Sequence, residues 1–133
     1  MSYILALIMG LLLGAPSILS AIEISDQQSR SSFLFCLKSD RDLLSIDRGG
    51  DGRYLFVDNA RINDALFDIE AVNIERWLPY ATKRDHDGDI YLNRIYRVIL
   101  DDSRSDSEVI FAIEKFKRIT SVKYAEPENI HKL

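Results

Sequence analysis

Residues 92–128 read LNRIYRVILDDSRSDSEVIFAIEKFKRITSVKYAEPE, and they carry the clearest secondary-structure signals of the chain. The first part of this stretch, from Leu92 to Leu100, is rich in the β-branched and aromatic residues that favour strands. Apolar side chains occur at both alternating sets of positions, which is typical of a strand with neighbours on each side. The sequence therefore predicts a central strand over 92–100.

The segment after this strand carries the clearest helix signal. Ser105 followed three positions later by Glu108 forms a capping box, and Asp106 adds negative charge where the helix dipole favours it. The residues that recur at helical spacing are apolar: Val109, Ala112, Ile113, Phe116 and Ile119. This pattern predicts an amphipathic helix over 106–118. A last short strand, SVKYAE, follows and ends at Pro127.

Three further elements are predicted on the amino-terminal side. Phe33–Leu37 is an apolar run of strand length, and the alternating segment VNIERWL at 72–78 is a second strand, closed by Pro79. Between them a short helix begins after Asp58 or Asn59, either of which can act as its N-cap. The apolar residues of this helix are Ile62, Leu66 and Ile69.

Two polar segments interrupt these elements. Residues 47–52 are rich in Gly and Asp and precede the β-favouring run 54–57, so a hairpin-like excursion is expected there. Residues 81–89 form a charged segment, predicted to be a solvated loop between strands.

The acidic residues of that loop suggest calcium, but the spacing does not fit. An EF-hand loop beginning at Asp85, and including Asp87 and Asp89, would need Gly at Ile90 and Glu at Tyr96. His131 has no second His or Cys at ligand spacing. We therefore expect neither a metal site nor a cofactor; the alternative is a weak surface contact of calcium or zinc that involves His86.

The element order, leaving out the excursion, is strand, helix, strand, strand, helix, strand. It predicts an α+β fold of the ferredoxin-like βαββαβ type, with a four-stranded antiparallel sheet and two helices on one face. The other sheet face would be uncovered, and three strand residues that could lie there are aromatic: Trp77, Tyr96 and Tyr124. An uncovered aromatic face indicates a partner surface.

Length and charge restrict the function. A chain of 133 residues has room for one domain, and 17 Lys and Arg against 21 Asp and Glu give a net charge of −4, which argues against nucleic acid as a partner. With two His and no recognisable nucleophile or phosphate-binding motif, no catalytic set assembles. We do not expect an enzyme.

Residues 1–21 have the pattern of a secretory signal peptide. No charged residue occurs before Glu23, and the apolar run from Tyr3 to Leu13 is shorter than the roughly twenty residues of a membrane span. Cleavage is expected near Ser20 or Ala21, which would make the domain secreted or periplasmic, without stable membrane association; the alternative is an uncleaved anchor. Residues 22–32 are a polar lead-in, and the folded domain is predicted over 33–133.

Cys36 is the single cysteine, so the domain contains no internal disulfide although export would permit one. Within the apolar run FLFCLKS it is expected to be a buried thiol that behaves as a small hydrophobic side chain. We assign it no chemistry.

The stretch from Asn93 to Glu128 resembles the amino-terminal propeptide domain of subtilisin-like serine proteases. The shared pattern is NRIYRVIL, then an amphipathic helix ending in FKRIT, then SVKYAEPE, in which VKYAEPE is the most specific part. The similarity covers residues 59–133, and LFCLK at 34–38 is comparable with the family's first strand. The excursion that follows is longer than usual for the family.

The resemblance implies a folding chaperone and inhibitor of a secreted subtilisin-like protease. In that family the uncovered sheet face docks on two surface helices of the protease, and acidic residues after the last strand cap their amino termini. The matching residues here are Glu126 and Glu128. The carboxyl-terminal tail would lie in the active-site cleft, and its residues are Asn129, Ile130, His131, Lys132 and Leu133.

The sequence ends at Leu133, near the family's processing junction, and does not contain the protease's catalytic residues. Two interpretations stay open: a free-standing inhibitor that acts in trans, or a fragment of a precursor whose protease would be bound in cis. A ferredoxin-like domain with a structural or ligand-sensing role is the alternative from another functional class.

Overall fold

The structure is a computed structural model, and it describes residues 31–128. The predicted signal peptide, most of the polar lead-in and the tail 129–133 lie outside the described residues. The strands are β1 Ser32–Leu37, β2 Ile46–Arg48, β3 Tyr54–Val57, β4 Asn73–Arg76, β5 His86–Asp87, β6 Ile90–Tyr91, β7 Ile95–Ile99 and β8 Val122–Pro127. The helices are α1 Ala60–Asp68 and α2 Asp106–Lys117.

The main sheet has four strands in the order β4-β7-β1-β8, and each neighbouring pair is antiparallel. The two helices join strands that are not neighbours: α1 lies between β1 and β4 in the chain, and α2 lies between β7 and β8. The predicted α+β class, with a four-stranded antiparallel sheet and two helices, is confirmed. Among the described residues, no helix is long and apolar enough to cross a membrane.

Both helices begin at the predicted caps. The Asn59 side chain accepts a hydrogen bond from the Ile62 amide at 3.1 Å. At α2 the Ser105 hydroxyl accepts from the Glu108 amide at 3.2 Å, and the Ser105 amide donates to the Glu108 carboxylate at 2.9 Å. The predicted capping box is therefore confirmed, and these contacts satisfy amides that a helix start leaves without partners.

The main core lies between the helices and one sheet face. Phe116 of α2 packs against Phe33 and Phe35 of β1, with ring centroids 5.2 and 5.0 Å apart. Phe35 also stacks on Tyr96 at 5.5 Å. Tyr96 is therefore completely buried on the helix side, which excludes it from the aromatic residues that could have lined the uncovered face. Its parity along β7 puts it on the same side as Val98, which belongs to the helix-side core.

The predicted strand over 92–100 is central as expected, because β7 lies between β4 and β1, but it is shorter. Residues Leu92–Arg94 form a 3₁₀ turn. The Leu92 amide donates to the Asp85 carbonyl at 2.9 Å, and the Arg94 side chain donates to the Lys38 carbonyl at 3.0 Å. These bonds connect the turn to the start of the β5–β6 hairpin and to the segment after β1.

Residues 81–89, predicted to be a plain charged loop, instead begin a small hairpin of β5 and β6. Gly88 at its turn has a φ of 62°, which is typical of the first central position of a type II′ hairpin turn. The excursion over 46–57 is a hairpin as expected, formed by β2 and β3 outside the main sheet.

Candidate functional site

The candidate site is the sheet face opposite the helices, which we call the far face. Strand register arranges its side chains in rows, because cross-strand partners point to the same side. One row runs from Glu75 through Arg97 and Leu34 to Glu126. The next row contains Ile95, Cys36 and Tyr124. A polar row therefore lies beside an apolar one.

The apolar row is partly covered. Leu34, Cys36 and Ile95 form a small second core. The half-buried apolar residues that pack against it are Trp77, Ile90, Leu92 and Tyr124. Trp77 and Tyr124, two of the three aromatic candidates, thus lie on the far face, but the segment that contains β6 covers this end of the sheet. This cover was not predicted, because a charged loop was expected over 81–89.

The polar row is organised by Arg97, which binds carboxylates on both sides. Its Nε and Nη2 donate to the two carboxylate oxygens of Glu128 at 2.8 and 2.6 Å. Its Nη1 donates to Glu75 at 2.8 Å, and the Ser32 hydroxyl donates to Glu128 at 2.7 Å. We call these four residues the Arg97 clamp. Bidentate pairing of this kind is strong and restricts geometry.

The electrostatics of the clamp favour its charged form. Burial raises the pKa of the Glu128 carboxyl, but hydrogen bonds from Arg97 and Ser32 and the Arg97 charge outweigh burial, so the pKa lies below its usual value. The Glu128 hydrogen bond is the main reason that the pKa of Arg97 is raised. The Glu128 side chain is only 11% exposed. Its carboxylate is therefore already occupied within the domain.

Glu126 has different surroundings, although it is two residues away on the same strand side. It is exposed, and it forms no side-chain hydrogen bond or ion pair with another residue of the range 31–128. Its charge raises the pKa of Tyr124, for which burial is the larger cause. Of the two predicted docking carboxylates, Glu126 is the one directed to solvent. The predicted tail residues, Asn129 to Leu133, lie outside the described residues.

The other residues considered in the sequence have structural surroundings. Asp89 pairs with Lys123 at 2.8 Å, and the His86 ring lies 3.1 Å from the Gly88 carbonyl. No group of three His, Cys, Asp or Glu among residues 31–128 could hold a metal ion. Cys36 is buried, as expected, and burial raises the pKa of its thiol.

Sequence reasoning missed three members of the clamp: Ser32, Glu75 and Arg97. The available signal was Arg97, a charged residue in the middle of a strand predicted to be central. Such a residue needs a partner. The identity of that partner depends on strand register, which the sequence did not define.

A shallow depression on the helix side was also not predicted. It lies where the end of α1 meets the start of α2, and its lining residues are Asp68, Ile69, Arg104, Ser107, Glu108 and Phe111. Arg104 donates to the Ile69 carbonyl at 2.7 Å, so its guanidinium already joins the two segments.

Comparison with known proteins gives no relative: no family model matches the chain, and neither a curated protein nor a solved structure matches it.

Proposed function

We propose that this chain is an exported, ferredoxin-like domain that inhibits a subtilisin-like serine protease, assists its folding, or does both. The observation that carries the proposal is the position of β8. It is an edge strand of the sheet and ends at Pro127, one residue before the predicted cleft-binding segment. A tail that leaves a sheet edge can extend into a partner without crossing the domain.

The strand order supports the ferredoxin-like arrangement. β1 and β4, which α1 connects, lie on either side of β7, and β7 and β8, which α2 connects, lie on either side of β1. Two interlocked split βαβ units of this kind define the ferredoxin-like order. Both helices contribute to the core on one side of the sheet, which leaves the far face for a partner.

The docking part of the proposal assigns the main contact to Glu126. Its exposed carboxylate can approach the amino terminus of a partner helix, where backbone N–H groups favour an anion by about 0.3–1 kcal/mol. Glu128, the second residue that the resemblance indicated, is held by Arg97. We therefore propose that Glu128 supports docking from within the domain.

The inhibitory part of the proposal assigns residues 129–133 to the active-site cleft. An extended peptide gains main-chain hydrogen bonds beside protease strands, and its alternate side chains enter pockets. Ile130 and Leu133 are the apolar side chains available for this. The proposal gives the chain no catalytic role and no cofactor, and it applies to a protease bound in cis or in trans.

Inhibition of a purified subtilisin by residues 22–133 tests the proposal. We expect slow proteolysis of a reporter peptide, with an inhibition constant roughly between nanomolar and micromolar. Deletion of 129–133 should abolish inhibition, because the cleft is then empty. Replacement of Tyr80, a fully exposed residue at 94%, by Ala is the control and should leave inhibition unchanged.

A second assay follows the refolding of a subtilisin that lacks its own propeptide. Faster recovery of activity in the presence of this domain supports the chaperone role. Failure to inhibit any of several subtilisin-like proteases, together with no effect on refolding, would refute the proposal and favour a structural or ligand-sensing role.

A further inference from the structure

The Arg97 clamp joins all four strands of the main sheet. Glu75 belongs to β4, Arg97 to β7 and Ser32 to β1, and Glu128 follows β8 directly. We propose that Arg97 is a positioning residue, which holds Glu128 and thereby fixes the position of the chain directly before residues 129–133. This inference rests on the proposed function, because positioning matters only if the tail enters a cleft.

Three hydrogen bonds from two strands hold the Glu128 carboxylate. Two guanidinium nitrogens bind the two oxygens of Glu128 at 2.8 and 2.6 Å, and the Ser32 hydroxyl adds a third bond from another strand at 2.7 Å. A carboxylate held from two strands can neither rotate nor move along the sheet. A single ion pair between flexible side chains would leave both motions open.

The chain has sheet contacts on one side only at this point. The ladder between β1 and β8 ends with the pair of Phe33 and Pro127, and β8 is an edge strand. The Glu128 side chain adds bonds to Arg97 of β7 and Ser32 of β1 directly before the proposed cleft-binding segment.

The Arg97 side chain is itself oriented by Glu75. Its remaining terminal nitrogen donates to Glu75 at 2.8 Å on the opposite side from Glu128. A guanidinium is planar and rigid, so a bond on one side defines the direction of the fork on the other. Glu75 thus aims Arg97 at Glu128, which leaves Glu126 as the exposed carboxylate for the partner.

The first experiment measures the backbone order of Glu128 by ¹⁵N relaxation in the full domain, without any protease. In the wild-type domain the order parameter of this amide should be near 0.85, and Arg97→Met should lower it below about 0.6. The amide of Cys36, in the middle of β1, reports that the sheet is intact. Equal order at Glu128 in both proteins would overturn the inference.

The second experiment measures binding to a subtilisin whose catalytic serine is replaced by alanine. Arg97→Met should weaken binding of the complete domain about tenfold, because the tail must then be ordered on binding. In a domain that lacks 129–133, the same substitution should change affinity less than about twofold. Equal weakening in both backgrounds would indicate a merely structural role and would overturn the inference.

Two further variants keep the test decisive. Arg61→Met changes an exposed arginine of α1 and should alter neither order nor affinity. If Arg97→Met does not fold, Arg97→Lys takes its place, since lysine retains the charge but cannot form the bidentate fork. If the wild-type domain binds no subtilisin-like protease, the proposed function fails, whereas the relaxation experiment still decides whether Arg97 orders Glu128.

Discussion

The two faces of the main sheet are held by different interactions. On the helix side, aromatic rings from β1, β7 and α2 pack without solvent, and Phe116 is completely buried. On the far face, an apolar row lies beside a row of charges that Arg97 connects. The helix side therefore stabilises the fold by burial, whereas the far face combines burial with directional bonds that survive near solvent.

The two faces of the sheet also differ in how well they can accommodate a functional site. A dry core tolerates few changes, because any loss of volume leaves a cavity. Exposed groups on the far face, such as the Glu126 carboxylate, can instead contact a partner at little cost to the core. Substitutions on the two faces should therefore differ in size and in pH dependence.

The largest effect is expected on the helix side. Phe116→Ala should lower the free energy of unfolding by about 3–5 kcal/mol, because it removes a ring that contacts both Phe33 and Phe35. Urea unfolding followed by circular dichroism measures this value. The matched control is Phe111→Ala in the same helix, where the side chain is 66% exposed and the change should stay within about 0.5 kcal/mol. Similar losses for both variants would contradict the assignment of the buried face.

An intermediate effect is expected on the far face. Glu128→Gln should cost about 1.5–3 kcal/mol, because a neutral amide replaces the charged acceptor and presents N–H groups to Arg97. Glu126→Gln is the matched control and should change stability by less than about 0.5 kcal/mol, since that carboxylate is exposed. Chemical unfolding at pH 7 measures both. A larger loss for Glu126→Gln would refute the distinction between the two residues.

The same pair of proteins gives a pH test. The pKa of Glu128 in the folded domain is lowered, so its contribution to stability is complete above the unfolded value of about 4.3 and is lost as pH falls through the folded value. The difference in stability between the wild-type domain and Glu128→Gln should therefore disappear in acid. A difference that is constant with pH would contradict the charged clamp.

The smallest effect concerns a polar atom on the helix side. The Tyr96 hydroxyl accepts a hydrogen bond from the Leu44 amide at 3.1 Å. Tyr96→Phe should cost about 0.5–1.5 kcal/mol, because the amide loses its acceptor while the ring packing is retained. Thermal unfolding compares it with Tyr80→Phe, an exposed control. No difference between the two would show that water replaces the lost acceptor.

Most of the fold could be predicted from local patterns. The caps at Asn59 and Ser105, the helical periodicity after Ser105 and the apolar run at 33–37 are local signals, and the structure confirms each. The β5–β6 hairpin was missed, because its charged residues concealed a turn that Gly88 permits. The 3₁₀ turn over Leu92–Arg94 was missed, because the groups that it contacts lie in other segments, such as the Lys38 carbonyl after β1.

The candidate site was less predictable. The family resemblance indicated Glu126 and Glu128 together, but it could not separate them. Alternation along a strand assigns residues to two faces without saying which face the helices cover, and for this reason Tyr96 stayed a candidate for the uncovered face. The partner of Arg97 likewise depends on the register of β1 against both of its neighbours.

Caps, turns and periodicity act over a few residues, so local patterns were enough to define the elements, their order and the α+β class. Contacts in three dimensions were needed to establish which side of the sheet is dry, that residues of β6 cover one end of the far face, and that Glu128 is bound while Glu126 is exposed. These properties arise from contacts between residues far apart in the chain, such as Arg97 and Glu128, and no local pattern records them.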